Sequence, residues 1–292
     1  MVSLKSAEEA MVRRGKIAQE FISLQRPELV DLFLTYQNEA IAARKFLQDS
    51  LIELNPEAEI LEVGGGILAL AIQLASEGFK VTTVEPVGEG FSGISFIMSV
   101  YIEISKKENS TFNLIKSPIE DCTFAHKFDF VFSINVMEHL KDPYAVLNQV
   151  SNKLKPAGKY RFFCPNYDFP YEPHFGKWLF HRSDGSFKLS LKRAQSAKLT
   201  ESDAIGLYDS LNFITSSKIS KCAKANGLSA KFNKMAFFQI LERSLTDRGL
   251  KERHRSLAKI IVFLSKLRFL SCFKYISFKI QPVMDVTITL ES

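Results

Sequence analysis

The chain has 292 residues, 46% hydrophobic and 24% charged, the balance of an ordinary globular protein with a buried core. Its four cysteines (Cys122, Cys164, Cys222, Cys272) show no C-x-x-C spacing, which argues against a disulfide framework or a cysteine zinc site and fits free thiols in a reducing cytoplasm. The net charge of +6 is uneven, with 20 Lys/Arg against 9 acids in residues 181–292 and 18 against 23 before them, so the second part suits an anionic partner or is a solvated basic surface.

Residues 4–52 carry helical periodicity through Ile17, Phe21 and Leu24, then Leu29, Leu32 and Phe33, then Ile41, Phe46 and Leu47. Pro27 is suited to start a second helix there. The charged N-terminus has no signal-peptide pattern, and the longest apolar run, Ile260 to Leu264, is too short to cross a bilayer. A cytoplasmic place is expected, with any membrane contact peripheral.

Alternating elements follow. Strands are predicted at 59–63, 80–85, 111–115, 128–135 and 159–164, with helices at 67–76 and 90–106. A further helix opens at Pro143 and is closed by Pro156-Ala157-Gly158. Strands and helices alternating at this spacing predict a parallel, doubly wound α/β sheet. Regularity lapses from Pro165 to about Ser210, then returns as a helix at 216–225 closed by Asn226-Gly227, and a strand at 228–233. Residues 236–280 read as a basic, apolar helical insertion, and Met284 to Leu290 as a closing strand. Residues 1–55 are thus read as an N-terminal helical cap. Residues 56–292 form the main domain, with insertions at about 165–210 and 236–280.

The segment Leu61-Glu62-Val63-Gly64-Gly65-Gly66 joins a strand to a helix through bare backbone, the arrangement that brings N–H groups and a helix N-terminus to a ligand. Glu85 lies 19 residues past Gly66, at the end of the second strand, where a carboxylate can accept from ribose hydroxyls. Gly64-x-Gly66-x-x-Ala69 also satisfies the dinucleotide fingerprint. Glu62 favours S-adenosylmethionine, whose ammonium it can hold; a carboxylate there would oppose a pyrophosphate.

Residues 59–164 with the closing strand resemble a class I S-adenosylmethionine-dependent methyltransferase of the small-molecule type. The resemblance rests on the glycine motif, Glu85, Ile119-Glu120-Asp121 after the third strand, Ser133-Ile134-Asn135-x-x-Glu138-His139-Leu140, and Leu154-x-Pro156-x-Gly158. It implies a Rossmann-like seven-stranded sheet whose last strand is antiparallel. It also implies cofactor contacts from Glu62, Gly64, Gly65, Gly66, Glu85, Pro86, Ile119, Glu120, Asn135, Val136 and His139. Two departures stand out. Leu68 replaces the family's third glycine, and Ser117-Pro118 replaces an aspartate, leaving adenine to backbone groups around Ile119 and Glu120.

Ligands of such sheets bind beyond the strands' C-terminal ends, which places Cys164 to Phe175 on the acceptor side. In this proline-stiffened aromatic loop, His174 is the candidate base or acceptor-orienting residue, with Tyr171, Glu172 and Tyr167 shaping the pocket. The alternative is that these residues only pack the loop. His126, His181 and His254 have no partners at metal-ligand spacing, and no metal is expected. Leu257, Ile260, Ile261, Leu264 and Leu267 recur at helical spacing among Arg255, Lys259, Lys266 and Arg268, so 250–280 suits a membrane surface, a lid or a partner helix.

The leading expectation is methyl transfer to oxygen on a small-molecule, glycan or lipid-like acceptor. Nucleic acid is not the expected partner, although the basic second part keeps an RNA methyltransferase open. The glycine turn is also compatible with a nicotinamide-dependent oxidoreductase or a non-catalytic cofactor-binding subunit.

Overall fold

Helix α1 (Leu4–Gln25) starts at Ser3, whose hydroxyl accepts the Ser6 N–H at 3.1 Å. This computed structural model describes residues 2–86, 92–175, 177–178, 206–245, 262 and 269–291. Pro27 opens a single 3₁₀ turn (Pro27–Leu29), from which α2 (Val30–Phe46) and the short α3 (Gln48–Ile52) continue. The chain falls into two units, Met1–Ile134 with Val150–Tyr160, and Asn135–Gln149 with Arg161–Ser292.

The first unit contains β1 (Glu59–Val63), α4 (Ala69–Ser76), β2 (Lys80–Val84), α5 (Ser92–Lys107), β3 (Asn113–Ile115) and β4 (Phe128–Ile134). β1, β2 and β4 each hold a run of four buried residues, as strands covered on both faces must. β1 pairs in parallel with β2 and β4, setting Glu62 opposite Thr83. Helices α1 and α2 pack together and against α4. Buried polar groups lock them there: Arg14 donates to Glu108 and Gln73, and Arg44 grips Glu77 through two nitrogens at 2.8 and 2.7 Å.

β5 (Leu154–Pro165) runs from the first unit into the second. Before it, α6 (Pro143–Ser151) ends at Ser151, so Pro156-Ala157-Gly158 does not close that helix but lies inside the strand. The reason is local: a Cβ on Gly158 would fall 2.8 Å from the Phe128 carbonyl oxygen, so the glycine is needed for close approach to β4.

The second unit holds a two-stranded hairpin, β6 (Tyr171–Glu172) and β7 (Lys177–Trp178), in the stretch read as irregular. It also holds α7 (Ser216–Ala225), β8 (Leu228–Phe232), α8 (Ala236–Ser244) and β9 (Val283–Leu290). Thr215 caps α7 by accepting the Lys218 N–H, and Gly227 past its end adopts φ +64°. β8 and β9 are antiparallel, and the sheet order is β3-β2-β1-β4-β5-β9-β8, the Rossmann-like arrangement with an antiparallel last strand. Of the 236–280 insertion, the structure describes α8 and two 3₁₀ turns, Phe269–Tyr275 and Phe278–Ile280. The apolar run from Ile260 to Leu264 and the residues read at helical spacing with it, Leu257 and Leu267, lie outside the described residues, apart from Val262. Among the described residues no helix is long and apolar enough to cross a membrane.

Candidate active site

In the first unit, β1 delivers Glu62 to its C-terminal end, 3% exposed, where its Oε2 accepts the Thr83 hydroxyl at 2.9 Å. The chain then turns at Gly64 (φ +83°) and Gly66 (φ +52°). The Gly64 N–H bonds the Val84 carbonyl at 2.8 Å, holding the turn against the end of β2. Gly65 is required for space: a Cβ there would stand 2.3 Å from Thr83 Oγ1. The family's missing third glycine is met by Leu68, which takes the left-handed conformation itself (φ +67°) as the N-cap of α4, with its side chain fully buried.

Glu85 follows β2 and accepts the Gly66 N–H at 2.8 Å. Burial pushes its pKa up to about 7 against that hydrogen bond. Burial pushes Glu62 up to about 8; the Thr83 hydroxyl opposes the rise and the Glu85 charge adds to it. Two buried carboxyls with raised pKa values suit a ligand that brings a cation to one and hydroxyls to the other. S-adenosylmethionine carries both an ammonium and ribose hydroxyls. The Cβ-free turn supplies the close backbone approach. Pro86 is exposed beside Glu85, while Ile119 is buried in a 3₁₀ turn (Ile119–Asp121) that leaves Glu120 half-buried.

Sequence reasoning missed Tyr36 of α2. Its ring would lie 3.4 Å from a Cβ on Gly66, so it covers the turn. Its hydroxyl is raised to about 12, by burial first and then by Glu39 and Glu85. No local pattern ties an aromatic residue 30 positions upstream to a glycine turn.

In the second unit, Asn135 takes φ +56° and gives its N–H to the Phe163 carbonyl at 2.8 Å, turning the chain after β4 into a 3₁₀ turn, Met137–His139. Asparagine tolerates this conformation better than most residues. Val136 caps that turn. Asn212, unremarked in the sequence, clamps it from outside: its side-chain amide donates to the Met137 and Leu140 carbonyls, and its backbone N–H to that of Glu138.

The clamped turn presents Glu138 and His139 to the hairpin that carries His174. Glu138 is fully buried, and its Oε1 lies 3.9 Å from His139 Nε2 and 3.9 Å from His174 Nε2. The two rings meet edge to face at 5.3 Å. His174 Nδ1 is 2.5 Å from Glu172 Oε1, and the same carboxylate accepts the His174 backbone N–H. Tyr167 donates its hydroxyl to Glu172 at 3.3 Å. His139 Nδ1 lies 3.0 Å from the Ser210 hydroxyl. Burial, and secondarily His174, lowers His139 to about 4, which keeps its ring neutral at neutral pH.

The structure therefore brings His174 and Glu172 together and draws His139, read from the sequence as cofactor-side, into the same cluster. Tyr171 instead packs edge-on against Trp178. Glu138 was legible as part of a motif, but nothing in the sequence marked it as the point where two imidazoles converge.

Residues 34–230 match a family model described as a methyltransferase domain. An uncharacterized protein of Mycobacterium tuberculosis is 37% identical over 270 residues, covering 92% of this chain and 91% of that one. A ubiquinone biosynthesis O-methyltransferase of Rickettsia akari is 29% identical over 100 residues, 34% of this chain and 37% of its own. Among solved structures, coclaurine N-methyltransferase bound to N-methylheliamine and S-adenosylhomocysteine shares the fold at a TM-score of 0.50, with 14% identity, over 87% of this chain and 71% of its own. With its sheet order, its acid-flanked glycine turn and these matches, the chain belongs to the methyltransferase-domain family, as a class I S-adenosylmethionine-dependent methyltransferase.

Proposed function

We propose that the protein methylates a hydroxyl oxygen of a small acceptor and that His174 is the residue that acts on that oxygen. The observation that carries the reading is the 2.5 Å contact between His174 Nδ1 and the buried Glu172. With Nδ1 committed to a carboxylate, the ring is fixed in orientation and Nε2 keeps the lone pair. A nitrogen acceptor needs no base, whereas a hydroxyl gains from one, so a braced imidazole favours oxygen. The segment-level similarity to the Rickettsia O-methyltransferase points the same way.

S-adenosylmethionine, when bound, supplies a methyl group already activated on sulfonium. Glu62 would hold its ammonium and Glu85 its ribose, and the Gly64–Gly66 turn would let it approach the backbone. The remaining work is to align the acceptor oxygen and remove its proton. His174 Nε2 receives that proton, Glu172 stabilises the imidazolium formed, and Tyr167 holds Glu172 in place. The acceptor is a small molecule of the glycan, lipid-precursor or secondary-metabolite kind.

The test is transfer of labelled methyl from S-adenosylmethionine into fractionated small-molecule extract by wild type and by His174→Gln. A loss of about 10²–10⁴-fold in kcat is expected, with cofactor binding retained. Equal turnover would remove His174 from the chemistry.

A further inference from the structure

We propose that Glu138, His139 and His174 bind one divalent transition-metal ion, which ionises the acceptor hydroxyl by coordination. The proposal rests on the reading that an acceptor hydroxyl is ionised at this cluster, and assigns that work to a cation in place of a bare imidazole. The sequence led to the opposite expectation, from the lack of partners around His126, His181 and His254, and nothing in it ties His174 to Glu138 and His139.

The geometry is that of a ligand set. The three residues each offer one ligand atom, and all three atoms lie within 4.8 Å of one another. Both histidines turn Nε2 toward a single oxygen, Glu138 Oε1, at 3.9 Å. Ligand atoms around an ion at about 2.1 Å sit about 3.4 Å apart in a tetrahedral site, so each histidine has to close on Glu138 by about half an ångström, and a pair at the 4.8 Å limit by about 1.4 Å.

The outer groups match as well. A metal-bound imidazole normally has its second nitrogen held by a carboxylate, carbonyl or hydroxyl, which fixes the ring and raises its basicity. Here His174 Nδ1 is held by Glu172 and His139 Nδ1 lies at the Ser210 hydroxyl, which in turn donates to the Leu207 carbonyl at 2.7 Å. Asn212 fixes the turn that carries two of the three ligands. The carboxylate is fully buried while the histidines remain partly exposed, at 29% and 24% of their side chains, so a fourth position can be reached by a ligand from outside.

Two imidazoles and one carboxylate form an N₂O set suited to Zn²⁺, Mn²⁺ or Fe²⁺, with positions left for an exogenous oxygen. An acceptor hydroxyl in such a position loses its proton to solvent water near neutral pH. The resulting oxyanion forms the new O–CH₃ bond as the S–CH₃ bond breaks, and that electron pair remains on sulfur. With the ion bound, His174 Nε2 is a ligand and carries no proton; its role as proton acceptor belongs to the ion-free site.

The experiment loads the chelator-treated full chain with Zn²⁺ or Mn²⁺ alone, measuring stoichiometry by elemental analysis and affinity by competition with a chromogenic chelator. One ion per chain is expected, with affinity at least 10-fold weaker in His139→Ala, His174→Ala and Glu138→Gln. Glu172→Gln is expected to weaken it about 10–100-fold without touching the ion. Urea unfolding and circular dichroism of the same variants report that they are folded. Should a variant not fold, Co²⁺ loading of wild type, read by visible absorption, tests the site directly; a spectrum of free aqueous Co²⁺ would overturn it. Sub-stoichiometric binding of both probe ions, or unchanged affinity in His139→Ala, would also overturn the site. Oxygen methylation that is indifferent to chelator overturns the cation and keeps His174 as base. Stoichiometric metal with a nitrogen-methylated product upholds ion binding but overturns hydroxyl ionisation, and with it the acceptor reading.

Discussion

Thr83 donates its hydroxyl to Glu62 Oε2 at 2.9 Å, across a register in which β1 and β2 set the two residues opposite each other. The bond orients a buried carboxyl and favours its charged form, the form the proposed ammonium contact needs. Thr83→Val keeps the shape and removes the donor. Hydrogen bonds to charged groups are worth about 1.5–3 kcal/mol, so S-adenosylhomocysteine affinity is expected to fall about 10-fold or more by calorimetry.

Gly65 is coupled to the same pair. A Cβ at Gly65 would collide with Thr83 Oγ1 at 2.3 Å, so Gly65→Ala has to displace the hydroxyl from Glu62. Overpacking of this kind costs about 1–3 kcal/mol, measurable by urea unfolding. Cofactor affinity is expected to fall with it, since Glu62 loses its orienting bond.

The two raised carboxyls set a pH dependence. Glu62 and Glu85 rise from 4.5 to about 8 and about 7, so the folded chain holds their protons more tightly than the unfolded chain does. Their contribution to stability is full below about pH 4.5 and is lost as pH rises through 7 and 8. In the absence of cofactor, unfolding free energy is expected to fall more steeply between pH 5 and 8 in wild type than in Glu62→Gln/Glu85→Gln. Because an ammonium draws Glu62 back to its charged form, cofactor binding at pH 7 is expected to release protons. Calorimetry in buffers of different ionisation enthalpy would show that release, and Glu62→Gln would reduce it.

Arg44 and Glu77 form a two-pronged pair with side chains only 1% and 2% exposed. Arg44→Ala strands a buried carboxylate, and losses of about 3–5 kcal/mol follow from breaking such pairs. Urea unfolding is the measurement. Arg44 also donates to Gln48, so part of the loss reaches α3.

The sheet was legible because buried parallel strands carry their own signal: β1, β2 and β4 are apolar runs ended by turn residues, and the observed bounds differ by a residue at most. Glu62 and Glu85 were legible for the same reason, since strand ends place them. Leu68 read as a departure because a left-handed leucine is a property of packing and not of pattern. Tyr36, Asn212 and Ser210 reach their sites from distant segments and left no local trace. Pro156-Ala157-Gly158 misled for a physical reason, since proline and glycine mark breaks in most settings but here fit the backbone of a strand. The stretch 179–205 and most of 246–268, where the basic charge is concentrated, lie outside the described residues.

The chemical identity of the methylated atom tests His174-assisted oxygen methylation most directly. Incubating the protein with S-adenosylmethionine carrying a ¹³C-methyl group and fractionated extract, then recording carbon–proton correlation spectra of the product, reads which atom bears the new methyl. A methyl resonance in the O–CH₃ region is predicted, present with wild type and strongly diminished with His174→Gln. A methyl on nitrogen or carbon, formed equally well by that variant, would contradict it.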